Sequence, residues 1–198
     1  MKYLTLGILM VFLLSACSGE SKSGDAEIKR SELTNFEENL LSLSSQHSMV
    51  YDLELKNEAA KEIVVTIDYY EKGKFVRQIT ELTDRIVENQ DSLRLAVLQQ
   101  VNKNEDNWIT SIMNESGMSS VAFPQPTDER ERMNLGSTSG GIELGALVIG
   151  ERKIIYSIAY SSSDEMSILQ NIETKEDLKK ATNYEQVYIV SVELRYVQ

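Results

Sequence analysis

The sequence predicts a mainly β protein, an antiparallel β-sandwich with an N-terminal helix and a short helix before its last strand; a partly closed β-barrel is the rival architecture. Three observations predict it. Apolar and polar residues alternate with a period of two in eight or nine short segments, turn residues separate those segments, and no strand–helix–strand alternation runs through the chain. Successive strand residues point to opposite faces, so alternation is what a half-buried strand requires. Strands with one apolar face each bury those faces by packing two sheets together.

The first element is a helix over residues 34–45. Thr34 and Glu37 have the spacing of a capping box, and Leu33, Phe36, Leu40 and Leu43 fall on one helical face. The period then changes to two, with Met49, Tyr51, Leu53 and Leu55 alternating with Val50, Asp52 and Glu54. Residues 63–70 form a β-branched and aromatic run that returns through Glu71-Lys72-Gly73-Lys74 into a second run over 75–82, a hairpin whose glycine supplies the positive φ. Leu93, Leu95, Val97 and Val101 continue the alternation. Residues 107–113 and 119–123 flank Asn114-Glu115-Ser116-Gly117, another hairpin signal, and Pro124-Gln125-Pro126 reads as an extended exit from that strand. Residues 142–149 and 153–160, joined through Gly150-Glu151, suit a further hairpin, with Ile154, Tyr156, Ile158 and Tyr160 on one face. A short helix is predicted over 174–181, capped by Thr174 with Asp177 at the third helical position. The final strand places Tyr188, Val190, Val192, Leu194 and Tyr196 on one side.

Composition narrows the function. The 198 residues carry 20 Lys+Arg against 31 Asp+Glu, a formal net charge of -11, with one Cys, one His and one Trp. One Cys excludes a disulfide scaffold and a zinc site built on paired cysteines. One His leaves little from which to build a triad or a multi-histidine metal centre. The acidic balance argues against nucleic acid, whose phosphates attract basic patches. No cofactor and no metal are expected.

The N-terminus is an address. Lys2 precedes an almost wholly apolar run from Tyr3 to Leu14, a positive n-region and an h-region too short to span a bilayer. The run ends in Leu14-Ser15-Ala16-Cys17. These residues resemble the signal peptide and lipobox of a bacterial lipoprotein. The resemblance implies a thioether-linked diacylglycerol on Cys17, cleavage before it, and a protein anchored in a membrane on the extracytoplasmic face of a bacterial envelope. Two acyl chains anchor where one is marginal. Residues 18–30 are small and charged with one large apolar residue, and so read as a flexible tether. The expected organisation is a signal peptide over 1–16, a lipidated tether over 17–30 and a single domain over 31–198. The Tyr-Glu-Lys-Gly-Lys hairpin at 70–74 is faintly similar to exported lipoproteins of Gram-positive bacteria with no assigned role.

No constellation of catalytic residues emerges. Gly136-Ser137-Thr138-Ser139-Gly140 has the glycines of a nucleophile elbow, but Thr138 stands where a serine is required; a flexible Gly/Ser connection is the simpler reading. His47, in a polar stretch, reads as a solvated loop histidine. Asn102, Asn104 and Asp106 alternate like the first ligands of a calcium loop, but Asn107 replaces the needed glycine and Met113 the bidentate glutamate, so a polar turn is expected. Trp108 suits a core anchor better than a sugar platform. Glu129, Glu131, Asp164 and Glu165 supply carboxylates, yet nothing selects an acid/base pair among them. The expected function is therefore a non-enzymatic, lipid-anchored binding or interaction module with a protein or cell-wall partner. An envelope hydrolase using loop carboxylates and a carrier of small apolar ligands are the alternatives.

Overall fold

The computed structural model describes residues 24–102, 105–127 and 134–196. The signal peptide, Cys17, Asn104, Glu129 and Glu131 lie outside the described residues. Two antiparallel sheets form a β-sandwich. The strands are β1 (Ala26–Arg30), β2 (His47–Leu55), β3 (Glu62–Glu71), β4 (Lys74–Arg85), β5 (Ser92–Val101), β6 (Glu105–Asn114), β7 (Gly117–Pro126), β8 (Gly136–Gly141), β9 (Leu144–Leu147), β10 (Arg152–Ser161) and β11 (Gln186–Arg195). The helices are α1 (Asn35–Ser44) and α2 (Lys175–Ala181). The first sheet runs β7-β6-β5-β2-β1-β9 and the second β4-β3-β11-β10-β8; among the described residues they do not close into a barrel.

Most predicted elements stand where the alternation puts them. In the β3–β4 hairpin Lys72 and Gly73 have φ of 48° and 80°, the two consecutive positive angles that match a tight turn to strand twist. Both helices carry full capping boxes, Thr34 with Glu37 and Thr174 with Asp177. Both prolines of the chain, Pro124 and Pro126, sit on β7 at a sheet edge, where a missing N–H costs no ladder bond. The Pro-Gln-Pro segment is thus part of the strand rather than its exit.

Four expectations are corrected. Residues 26–30, assigned to the tether on composition, form β1, paired on both sides with β2 and β9; Ala26 and Ile28 face the core while Lys29 and Arg30 stay exposed, so a polar composition conceals one apolar face. The 142–149/153–160 hairpin does not form. Residues 144–147 join the first sheet as β9 and residues 152–161 the second as β10, so Gly150, at φ 81°, turns the chain from one layer to the other. A bulge between Ile154 and Tyr156 then puts Ile154 on the outer face, while Tyr156, Ile158 and Tyr160 stay inward. Finally, 136–140 is not a flexible connection but most of strand β8, paired with β10. Its glycines answer to packing. The Tyr51 hydroxyl crosses from the first sheet to the Ile142 and Ile155 carbonyls at 3.0 and 2.9 Å, and a Cβ on Gly141 would collide with that hydroxyl and the Ile155 carbonyl. A Cβ on Gly140 would strike Ile168.

The main core lies between the sheets. A second, smaller cluster of Ala159, Ile172, Ala181, Val187 and Ile189 lies on the outer face of the second sheet, covered by Ile168, Leu178 and Tyr184. Strand β11 is therefore buried on both faces, which is why it reads as a nearly continuous apolar run.

Candidate functional site

One end of the core departs from aliphatic packing. Strands β5 and β6 bring Gln99 and Asp106 inward, both fully buried, and the Gln99 amide donates to Asp106 Oδ2 at 2.6 Å. The Tyr160 hydroxyl of the opposite sheet donates to Gln99 Oε1 at 2.9 Å, tying the two layers. Around this line Trp108 packs 4.7 Å from Tyr188, Tyr188 stacks on Tyr69 at 5.0 Å, and His47 meets Tyr160 edge-on at 6.1 Å. His47 is a half-buried strand residue in an aromatic contact, not the solvated loop histidine expected of it. Trp108 is the core anchor that its position suggests, with no exposed surface.

Gln125 on β7 closes this end. It is 3% exposed, and its amide donates to the Tyr188 hydroxyl at 3.3 Å. Gln125 Oε1 and Trp108 Nε1 are buried and have no hydrogen-bond partner among the described residues. Beside Gln125 a cleft of about 260 Å³ opens between the edge strands β4 and β7, lined by Tyr69, Glu71, Arg77, Gln125, Gln186 and Tyr188. The Tyr69 hydroxyl donates to Glu71 at 2.7 Å, and burial together with this neighbour pushes the phenol well above its usual range, keeping it neutral.

The remaining polar features sit apart from that end. On the outer face of the second sheet Arg152 bonds Asp68 at 2.8 Å and also reaches Thr66 and Ser191. Burial pushes the Asp68 carboxyl up against the opposing pull of the Arg152 guanidinium. Asp164 and Glu165 stand exposed on the β10–α2 connection. Asn102 and Asp106 do not converge as cation ligands: Asp106 points into the core, and among the described residues no group of three His, Cys, Asp or Glu side chains is set to hold a metal. No helix among the described residues is long and apolar enough to cross a membrane. Helix α1 has no buried residue, and its apolar face is turned to solvent, with Phe36, Leu40 and Leu43 exposed by 74, 54 and 87%.

The pattern that defines the YgaN domain matches residues 27–194, from the second residue of β1 to the penultimate residue of β11. The chain belongs to the YgaN domain family. No curated protein and no solved structure matches it. The YgaN domain thus takes in β1 and both sheets, in agreement with the corrected N-terminal boundary. Sequence reasoning missed Gln99, Gln125 and the inward role of Asp106. A signal for two of them was present: Gln99 continues the inward register of Leu93, Leu95 and Val97, and Asp106 that of Trp108. A polar residue in an apolar register marks a buried polar group that needs partners.

Proposed function

We propose that this YgaN domain protein is a lipid-anchored, extracytoplasmic binding module of a bacterial envelope, attached through Cys17 and acting by recognition rather than by catalysis. The observation that carries the recognition is α1. A ten-residue helix fixed by a capping box keeps Phe36, Leu40 and Leu43 on the outside, a stripe left uncovered among the described residues. Spacing of i, i+4 and i+7 is how an amphipathic helix seats its anchors in a partner's groove. The helix carries Glu37 and Glu38 and no Lys or Arg, so anionic lipid headgroups are a poor match for it. Its partner is a protein with an apolar groove and a basic rim. Eight residues separate Cys17 from Ala26, nine chain steps with a reach on the order of 30 Å, which keeps that partner at the membrane surface.

Two experiments test the two halves. Cys17→Ala should abolish labelling by radioactive palmitate and leave the precursor uncleaved; normal labelling would remove the anchor from the proposal. A photo-crosslinking residue in place of Leu43, in the native envelope, should give one discrete protein adduct that is lost in the triple variant Phe36→Ser, Leu40→Ser, Leu43→Ser. All three side chains are exposed, so the triple variant should unfold within about 0.5 kcal/mol of wild type per site. Adducts to lipid alone, or an adduct placed at residue 89 that is equally strong, would count against α1 as the recognition surface.

A further inference from the structure

The cleft between β4 and β7 shares no residue with α1 and carries its own inference. Its lining sets the amides of Gln125 and Gln186 and the phenols of Tyr69 and Tyr188 beside Glu71 and Arg77. Gln125 is 97% buried, lines the cleft and still holds an amide oxygen with no partner among the described residues; Trp108, its diagonal neighbour across the β6–β7 ladder, lies behind it in the core. Buried polar groups are nearly always bonded, so an orphan on the wall of an opening points to something that enters it. Gln125 Oε1 requires a donor, which a hydroxyl supplies while keeping an acceptor for a second partner.

We propose that this cleft binds a single small, neutral, polyhydroxylated ring, a monosaccharide or a cyclitol. Its volume of about 260 Å³ falls below the roughly 300 Å³ where sites for drug-sized ligands begin, which limits it to one ring. A cation would need an uncommitted carboxylate, and Glu71 already accepts from Tyr69. An anion would approach a chain of net charge -11. One water satisfies one hydroxyl's worth of contacts; a ring with several hydroxyls reaches Gln125, Gln186 and the Arg77 guanidinium together, against aromatic walls.

Trp108 is the only tryptophan, so its indole N–H resonance and its fluorescence report on this end of the core without ambiguity. The purified protein should be titrated with glucose, N-acetylglucosamine and myo-inositol, and in parallel with tetrahydropyran, a ring of the same size lacking hydroxyls. At least one hydroxylated ring should shift the indole resonance saturably, with the millimolar affinity that one ring allows, and tetrahydropyran should not. Gln125→Leu should weaken the response by about tenfold or more, the loss of one buried hydrogen bond. If that variant does not fold, Gln186→Ala at the half-buried wall serves the same purpose. No saturable shift with any of the three hydroxylated rings would overturn the proposal, leaving water as the occupant. An equal response to tetrahydropyran would overturn the ligand class.

Discussion

At one end of the sandwich the inward positions of β1, β2, β3, β5 and β11 hold Ile28, Leu53, Ile63, Leu93 and Leu194; at the other, the same sheets present His47, Tyr69, Gln99 and Tyr188, joined by Asp106, Trp108 and Tyr160. The two ends are held by different physics. Aliphatic side chains contribute through area removed from water, with no directional demand. The polar-aromatic end contributes only where its hydrogen bonds are complete, and it loses free energy wherever one is missing. A protein gains no stability by leaving Gln125 Oε1 and Trp108 Nε1 unpaired. Gln125, one of the residues with such an orphan atom, lines the cleft at this end.

The comparison breaks first at the aliphatic end. Leu53→Ala removes a fully buried side chain from the middle of the first sheet and should cost about 3 kcal/mol in urea unfolding. A loss well under 1 kcal/mol would mean that this end is not what holds the sheets together. Next come two identical substitutions at the opposite end. Gln99→Leu removes the acceptor of Tyr160 and the donor to Asp106, and should cost about 2 kcal/mol. Gln125→Leu gives up one 3.3 Å bond to Tyr188 while also removing a buried acceptor that has no partner, so its cost should stay under about 1 kcal/mol. Equal losses from the two would show that the partnering of these amides does not decide their energetics.

The contrast also explains what was legible in the sequence. Thr34, Glu37, Thr174 and Asp177 announce both helix starts because a cap is local chemistry, readable within four residues. The outward direction of Phe36, Leu40 and Leu43 is not local: amphipathicity says that a face wants covering and not whether this chain covers it. Strand β1 was hidden because Glu27, Lys29 and Arg30 dominate five residues, and only pairing with β2 and β9 reveals Ala26 and Ile28 as core. Strand β8 has no apolar residue at all, and Gly141 is fixed by Tyr51, a residue 90 positions away that no window reaches. Gly150 likewise permits a hairpin or a crossing between layers, and the choice falls to the pairing of β9 with β1. For the site the difficulty was different. Asp106 drew attention as a calcium-loop residue, which directed it outward, while the inward register of Gln99 and Trp108 placed the same carboxylate in the core.

The smallest effect sharpens the comparison through pH. Each end is fastened by a carboxylate that accepts several bonds. At the aliphatic end Asp25 takes the Asn57 amide at 2.6 Å and the Ile149 N–H at 2.8 Å, which lowers its carboxyl below the usual 3.8. At the polar end Glu185 takes the Ser162 hydroxyl at 2.6 Å and its N–H at 3.2 Å, bonds that draw its carboxyl from 4.5 down to about 2. A carboxyl depressed by folding adds stability above its unfolded value and loses it as pH falls through its folded one. The Glu185 contribution should therefore be complete above pH 4.5 and gone near pH 2, while that of Asp25 begins to fade only below 3.8. Both groups are partly exposed, so each effect is small and screened by salt. Urea midpoints measured across that range should fall less steeply in Glu185→Gln than in wild type, with the gap between them starting to close between pH 4.5 and 3.8, where Asp25→Asn still parallels wild type. Superimposable acid limbs for wild type and Glu185→Gln would show that the serine clamp at the β10 exit does not hold the polar end closed.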